Sequence, residues 1–417
     1  MSESEETRRL RITLVEFLPA GGLFQFTFQL ADALGGLGHD VELVTGPDPE
    51  MRSAGTLAVR ELLPTWTPGT GEGSRWKTYT RRLWRALRYA ESWRRVAAHV
   101  DSTRPDVVLW SDWHFALDGV VVSWMARRGG APLMTSIAHT PVPYTETRSG
   151  GSLHRDRGPM AWSVRRVMAC LDCVFVLGER SKEQLLAAWP EVRRVEVIPH
   201  GNEDFYLDKT EPGTVSRPGQ CPPTALFFGN WDRYKGIDVL LDAWKVVKER
   251  CPDAELVMAG TPSKTIDIGA LTERAEVLRI DLRAGYVPVE EVPRLFGAAR
   301  VVVAPYTFAN QSGVVHLAQT FGRPVVVTDT GDLASAVEDG VTGFVVPTSD
   351  AGAVAEAVVR LLDDPSLATR MGDVGRDRLE RESSWHAVAE AVSAVFCELA
   401  AARDTTDGVP EPRGRIG

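Results

Sequence analysis

The stretch Val301–Pro347, VVVAPYTFANQSGVVHLAQTFGRPVVVTDTGDLASAVEDGVTGFVVP, decides the fold. Two β-branched apolar runs, Val301–Ala304 and Val325–Thr328, lack the alternation of a half-exposed strand and read as buried parallel strands. Between them stand Gln311-Ser312-Gly313, an apolar-rich helical stretch from about Val314 to Phe321, and Gly322 as a stop. A small polar turn between a strand's carboxyl end and a helix start leaves backbone N–H groups unpaired. It also aims the positive end of the helix dipole at whatever lies there, so it suits a phosphate. Asp329-Thr330-Gly331-Asp332 follows the second strand in the same way, so two successive β-α loops are expected to converge on one anion.

Working outward, strand and helix alternate on both sides. Thr224–Phe228 and Glu255–Ala259 read as strands, Ile237–Arg250 and Val292–Ala298 as helices, and Ala284–Val287 as a short strand edge. Gly352–Leu362 and His386–Ala401 read as later helices. In the amino-terminal half, Arg11–Val15, the turn Ala20-Gly21-Gly22, the helix Phe24–Leu37 and Val41–Val44 make a β-α-β opening. It lacks the GxGxxG fingerprint and the acidic residue of dinucleotide sites. Gly21 and Gly22 serve either a turn of positive φ or close approach of backbone to a diphosphate or acceptor. Residues 47–73 read as a long surface loop. Pro105–Trp110 and Leu133–Ala138 are further strands whose carboxyl ends carry His114 and His139. That edge is where open α/β sheets bind ligands. Cys173–Leu177 is a fifth strand, with Ser181 expected as a helix N-cap. The alternation implies doubly wound parallel sheets covered by helices on both faces.

Four motifs of the second half carry a family resemblance. They are Phe228-Gly229-Asn230-Trp231-Asp232-Arg233-Tyr234-Lys235-Gly236, the Val301–Gly322 stretch, Gly322-Arg323-Pro324-Val325-Val326, and Glu338-Asp339-Gly340-Val341-Thr342-Gly343-Phe344-Val345-Val346. Their order and spacing over about residues 225–365 resemble the retaining GT-B glycosyltransferases of the glycogen-synthase and sucrose-synthase class, often called family four. Val197-Ile198-Pro199-His200-Gly201-Asn202 resembles that class's signature near its interdomain hinge. The resemblance implies two Rossmann-like domains facing each other across a cleft. The first, residues 1–204, would bind the acceptor. A linker at 205–223 would lead to a nucleotide-sugar domain at 224–385. A helix at 386–402 would cross back to the first domain, ahead of a disordered tail at 403–417.

Composition agrees with two globular domains. The chain has 417 residues, 44% of them hydrophobic and 25% charged, too long for one ordinary core. A net charge of −9 argues against general nucleic-acid binding. No apolar run long enough for a membrane span stands out, and Met1–Arg9 reads as a charged, frayed end and not as a signal peptide. Five cysteines, an odd number, point to a reduced, cytoplasmic protein. Cys170 and Cys173 form a CxxC without the second pair that a metal site needs, and read as small apolar residues. Arg75–Arg95 is strongly basic with interleaved Trp and Tyr. It suits a solvated structural helix or an anionic surface, such as the inner face of a membrane.

The chemistry follows from the donor that the resemblance implies, a nucleotide-diphosphate sugar acting as substrate and not as a cofactor. Its departing diphosphate gains negative charge, so the site needs cations and N–H donors. Lys235 and Arg233 supply cations, and Ser312 and Gly313 supply N–H groups beside Gln311; no metal is expected. Asn230 stands where the class has an arginine. Tyr286 and Val287, with Gly260, lie where the class recognises the base. His139 resembles the class's histidine facing the reacting sugar. The class also has a glutamate pair around the phosphate helix, and Ala309 and Leu317 replace it here. That replacement keeps a second reading open, a non-catalytic GT-B scaffold or partner subunit. A sugar-nucleotide epimerase or hydrolase would need a carboxylate pair that the sequence does not display.

Overall fold

The computed structural model describes residues 8–53, 55, 57–63, 75–111, 113, 116–141, 144–147, 150–153, 158–211 and 213–406, and over 75–83 and 144–153 the backbone alone. His114 lies outside the described residues. The chain divides into two units. The first takes residues up to 145, 153–198 and the last helix from Trp385, and the second takes 146–152 and 199–384.

The first unit runs β1 (Arg11–Val15), α1 (Gly22–Gly36), β2 (Asp40–Thr45), β3 (Ala58–Glu61), α2 (Arg75–Thr103), β4 (Val107–Trp110), α3 (Ala116–Ala126) and β5 (Leu133–Ile137). β6 (Tyr144–Thr147) and β7 (Gly150–Leu153) follow, their residues 146–152 belonging to the second unit, and the first unit continues through α4 (Pro159–Met168), β8 (Cys173–Val176), α5 (Glu179–Ala188) and β9 (Val195–Val197). Seven strands form a parallel sheet in the order β3-β2-β1-β4-β5-β8-β9, and β6 and β7 pair separately. β4, β5 and β8 are buried along their whole length, as expected for strands covered on both faces. Successive side chains point to opposite faces. Val174 and Val176 therefore join Trp93, Val122, Val167 and Trp189 in the core under α2–α5. Phe175 points the other way and meets Phe396 edge-on at 5.7 Å.

The second unit runs α6 (Phe205–Asp208), β10 (Thr224–Phe228), α7 (Ile237–Arg250), β11 (Glu255–Gly260), α8 (Ile268–Val277), β12 (Asp281–Ala284), α9 (Val292–Ala298) and β13 (Val301–Ala304). It closes with α10 (Gly313–Thr320), β14 (Val325–Thr328), β15 (Gly343–Val346), α11 (Ala351–Asp363) and α12 (Pro365–Glu382). The parallel sheet has the order β12-β11-β10-β13-β14-β15. The chain winds outward from β10 in one direction and from β13 in the other. The crevice at their carboxyl ends is the topological switch point of this sheet.

α13 (Trp385–Thr406) belongs to the first unit. The stretch Pro365–Thr405 contains a window apolar enough for a membrane span, with hydropathy 1.2. Yet Val388, Ala389, Val392 and Phe396 are fully buried, and Phe26 of α1 meets Trp385 at 5.0 Å, so α13 is a core helix. His39, in the turn after α1, ties it down. Nδ1 accepts the Leu10 N–H at 3.2 Å, which leaves the proton on Nε2 to donate to Ser393 Oγ at 2.7 Å.

Several expectations need correction. The loop at 47–73 contains β3, a half-exposed edge strand with no apolar pattern to announce it. Gly178, not Ser181, precedes α5; Ser181 lies inside the helix and is buried. The strand near Tyr286 is Asp281–Ala284, alternately charged and at the sheet edge. α12 was not anticipated, because its buried face mixes only two large apolar residues, Met371 and Leu379, with the small Ala368, Gly372 and Gly375 in a charged stretch. α13 runs on to Thr406, beyond the expected end at 402. Residues 205–223, expected as a linker, pack into the second unit. Tyr206 is buried in its core, and the buried Arg323 donates to the carbonyls of Ser216 and, at 2.9 Å, of Ala299. The carbonyl of Cys221 accepts likewise from Arg300. Backbone carbonyls hold this segment, so its composition carries no sign of it.

His39 must be neutral to accept from Leu10, and burial lowers its pKa below the ordinary value of 6.5. The unfolded chain therefore binds the extra proton first, and stability is lost as pH falls through about 6.5 and below. Chemical denaturation of the His39→Ala variant at pH 7.5 is expected to show a loss of about 1–3 kcal/mol. Its pH dependence between 7.5 and 5 should be flatter than that of the wild type.

Candidate active site

The site in the second unit is built from the loops after β10 and β13. Beyond β10 the fully buried Trp231 is zipped to the loop after β11. Its N–H donates to Thr261 O and its carbonyl accepts from Ser263 N–H, both at 2.8 Å. Asp232 caps the single 3-10 turn Arg233–Lys235 by accepting the Arg233 N–H at 2.7 Å. Gly236 then ends the turn at φ 70°, and a Cβ there would stand 1.9 Å from the carbonyl oxygen of Pro305. Only glycine allows this approach. It presses the first loop onto the segment after β13, where Tyr234 O accepts the Thr307 N–H at 2.8 Å.

The contact brings Lys235 over Tyr306. Lys235 is only 9% exposed, and its Nζ lies 3.9 Å from the centroid of the Tyr306 ring and 5.3 Å from that of Tyr234. Among the described residues no carboxylate pairs with it. Burial works against its charge, but the two tyrosines outweigh burial and hold its pKa above the ordinary lysine value. The support comes from the two ring faces and their hydroxyl oxygens. Tyr306 Oη reaches Ser312 Oγ at 3.2 Å, which links Lys235 to the start of α10.

At that start Ser312 is extended, with no side-chain cap. Gln311 Oε1 accepts the Ser312 N–H at 3.0 Å, so the Ser312 amide expected to face an anion is already engaged. Among the described residues the N–H groups of Gly313 and Val314 have no acceptor. The loop after β14 also differs from expectation. Gly331 lies so close to the Ala309 carbonyl that a Cβ would be 1.7 Å from it, and Asp332 N–H donates to Asn310 O at 2.8 Å. This loop buttresses the first one instead of presenting its amides to the same anion.

Two histidines that sequence reading did not single out as site residues meet at α10, His316 within the helix and His200 in the hinge-like motif. His200 and His316 stack with centroids 4.3 Å apart, and the His200 ring reaches within 3.6 Å of where a Gly313 Cβ would stand. His316 Nδ1 donates to Ser312 O at 3.2 Å, and His200 Nδ1 to Gly201 O at 3.3 Å. Burial lowers the His200 pKa to about 4 and that of His316 well below the ordinary value, so both are neutral at pH 7. Their spacing in sequence, in two unrelated segments, gave no signal. Nor did Tyr306, which reads as an ordinary strand-end aromatic.

The remaining expected residues are more dispersed. Arg233 is exposed, with Nε 3.4 Å from Thr265 O. Asn230 is exposed, Tyr286 is 72% exposed and Val287 packs on the core. In the first unit, Glu50 Oε2 accepts the Gly21 N–H at 2.9 Å and Gln25 Nε2–H at 3.2 Å. A carboxylate thus fills the start of α1, and the Gly21 amide expected to meet a diphosphate is engaged; Gly22 is exposed. His139, half-buried after β5, meets Phe26 edge-on at 4.9 Å. Cys170 and Cys173 are free thiols, and burial pushes that of Cys173 up to about 12.

A Glycosyl transferases group 1 profile matches residues 222–364 and a Glycosyl transferase 4-like domain profile matches 21–201, most of the chain between them. Glycogen synthase of Mycobacterium tuberculosis is 27% identical over 97% of both chains. This chain is a GT-B glycosyltransferase. Sucrose-phosphate synthase from Thermosynechococcus elongatus superposes with a TM-score of 0.71 at 22% identity, over 94% of this chain and all of that one. HepE of Anabaena, in complex with UDP and glucose, gives 0.68 at 14% identity, over 93% and 99%. The two parallel sheets are the Rossmann-like domains of this glycosyltransferase fold, and the coarse activity is sugar transfer from a nucleotide-sugar donor.

The Gly236 contact is open to a direct test. Gly236→Ala combines an unfavourable φ with a clash on Pro305 O, and urea unfolding should show a loss of at least about 2 kcal/mol. Gly35→Ala, in α1 with nothing within 4 Å of the added Cβ, should instead be neutral or gain up to about 1 kcal/mol.

Proposed function

We propose that the chain transfers a hexosyl group from a nucleotide-diphosphate sugar to a hydroxyl acceptor with retention of configuration. In this reading the second unit holds the diphosphate between Lys235 and the start of α10. The observation that carries the reading is Lys235 itself, a buried cation at the switch point with no carboxylate partner among the described residues. A charge taken out of water costs several kcal/mol unless a counter-charge joins it. The N–H groups of Gly313 and Val314 face the same need for an acceptor, and an anionic diphosphate meets both. HepE, which shares the fold, binds UDP.

As the bond between the anomeric carbon and the diphosphate oxygen breaks, negative charge grows on that oxygen. The Lys235 ammonium and the α10 amides stabilise this charge more than the ground state. Arg233, solvent-exposed and held by one long hydrogen bond, is the mobile cation of the set and swings in from the neighbouring loop. Retention then follows from acceptor attack on the face that the diphosphate leaves, the attacking hydroxyl giving its proton to the departing phosphate oxygen. No carboxylate nucleophile is required, which suits the apolar, buried Ala309 and Leu317. His139 steadies the sugar as positive charge develops on its ring. The acceptor is a saccharide or another polyhydroxylated molecule, as glycogen synthase and an α-D-kanosaminyltransferase of Streptomyces kanamyceticus are among the similar proteins.

Titration calorimetry with UDP, ADP, GDP and dTDP tests the cage. One of them should bind the wild type, and Lys235→Ala should weaken that binding by about 1.5–3 kcal/mol, with a smaller loss for Arg233→Ala. Unchanged affinity in Lys235→Ala would remove the assignment, and no binding by any of the four would favour the scaffold reading. For the chemical step, proton NMR of fresh product should show the donor's own anomeric configuration. His139→Ala should lower turnover about 10²-fold with diphosphate affinity intact, the pattern of an interaction made mainly in the transition state. An inverted product, or full turnover without His139, contradicts this mechanism.

A further inference from the structure

Helices α2, α3 and α4 lie side by side over one face of the first unit's sheet, and their outward side repeats one feature three times. Among the described residues the exposed tryptophans are Trp84 on α2, Trp124 on α3 and Trp162 on α4, exposed by 62%, 52% and 54%. Each carries an arginine four residues on, folded over its ring. Arg88 lies 4.9 Å from the centroid of Trp84, Arg128 4.5 Å from Trp124, and Arg166 5.3 Å from Trp162. Leu87 and Val120 add exposed apolar surface beside them, at 60% and 41%.

Folding does not need these tryptophans. α2 is anchored by the opposite side of the helix, where Tyr89 Oη and Trp93 Nε1 donate to the buried Asp118 at 2.6 and 3.0 Å. α3 and α4 are joined through Ser163, whose Oγ donates to Ala116 O at 2.7 Å. A helix-surface pair at i, i+4 contributes only a few tenths of a kcal/mol, little return for three indoles left in water. At a lipid headgroup layer the same pairs are favourable throughout. The indole sits between apolar and wet regions, and the guanidinium on its face meets phosphate.

The geometry points to this layer as a docking surface for an anionic phospholipid bilayer. Charge supports that occupant. In a chain of net charge −9, α2 carries a large excess of Lys and Arg over its two acidic residues, Glu91 and Asp101. Arg128 is held by both oxygens of Asp101 at 2.7 Å, and Arg166 Nε donates to Ser123 Oγ at 3.0 Å. Arg88 has no acidic partner among the described residues. Basic groups on helices that also expose aromatics bind anionic bilayers by apolar burial and electrostatic attraction together.

Flotation of the full chain with phosphatidylcholine vesicles, with and without phosphatidylglycerol, tests the inference. The wild type should float with the anionic vesicles, weakly or not at all with the neutral ones, and less as salt rises. The triple variant Trp84→Ala, Trp124→Ala, Trp162→Ala should bind at least about tenfold more weakly. Its thermal melt and nucleoside-diphosphate affinity should not change, since all three side chains are exposed and none belongs to the proposed diphosphate site. Brominated lipid should quench part of the wild-type tryptophan emission and none of the variant's. Failure of the wild type to float would overturn the inference, as would equal flotation of the triple variant. Binding to heparin as tight as to anionic vesicles, without quenching by brominated lipid, would assign the surface to polyanions instead.

Discussion

A lysine ammonium buried against two tyrosine rings, with no carboxylate among the described residues to neutralise it, is the constraint around which the second unit is arranged. Burial alone would push Lys235 toward its neutral form. What opposes this is the close approach of two loops that come from neighbouring strands of opposite winding direction. Gly236 permits the approach, Pro305 and Tyr306 supply the other wall, and Tyr306 passes the contact on to Ser312. The switch point of the sheet thus becomes an electrostatic feature: a buried cation and a helix start, with Glu203 Oε1 3.5 Å from where a Gly313 Cβ would stand, meet at the end of β10 and β13.

The rest of the loop is kept electrically quiet. Ala309 and Leu317 are buried and apolar. His200 and His316 are held neutral by burial, and their Nδ1 protons are committed to backbone carbonyls. Gln311 satisfies the Ser312 amide without adding a charge. Acid would disturb this arrangement first at the histidines, since each would have to give up a neutral, stacked state to take a proton.

The sheets were legible because their strands are the long β-branched runs of a fully buried parallel layer, and these show plainly in Val301–Ala304, Val325–Thr328 and Val107–Trp110. Lys235 and the start of α10 were legible for a different reason: the fold rule puts ligands at strand carboxyl ends, and the motif spacing placed both there. What sequence could not show is held by backbone. The engaged amides of Gly21, Ser312 and Asp332 depend on Glu50, Gln311 and the Asn310 carbonyl reaching them, and no pattern of residue types encodes that reach. The packing of 205–223 is similar. Its Pro, Gly and Thr content reads as a linker, yet Arg323 and Arg300 bind its carbonyls from inside the core. β3 and β12 were hidden because edge strands lack an apolar pattern.

The helix starts of α1 and α10 are treated in opposite ways. α1 begins with a carboxylate of the protein's own, Glu50, accepting from Gly21 and Gln25. α10 begins uncapped by any side chain of Ser312, with Lys235 linked to it through Tyr306. A helix start already neutralised from within has little left to offer a phosphate, whereas one beside a buried cation has everything to gain from it. The first unit's loop is therefore already charge-matched by the protein itself, whereas the buried cation of the second has no such carboxylate partner among the described residues. The Rossmann-like halves share a topology, but one sets a glutamate of its own at a helix start and the other a buried lysine beside one.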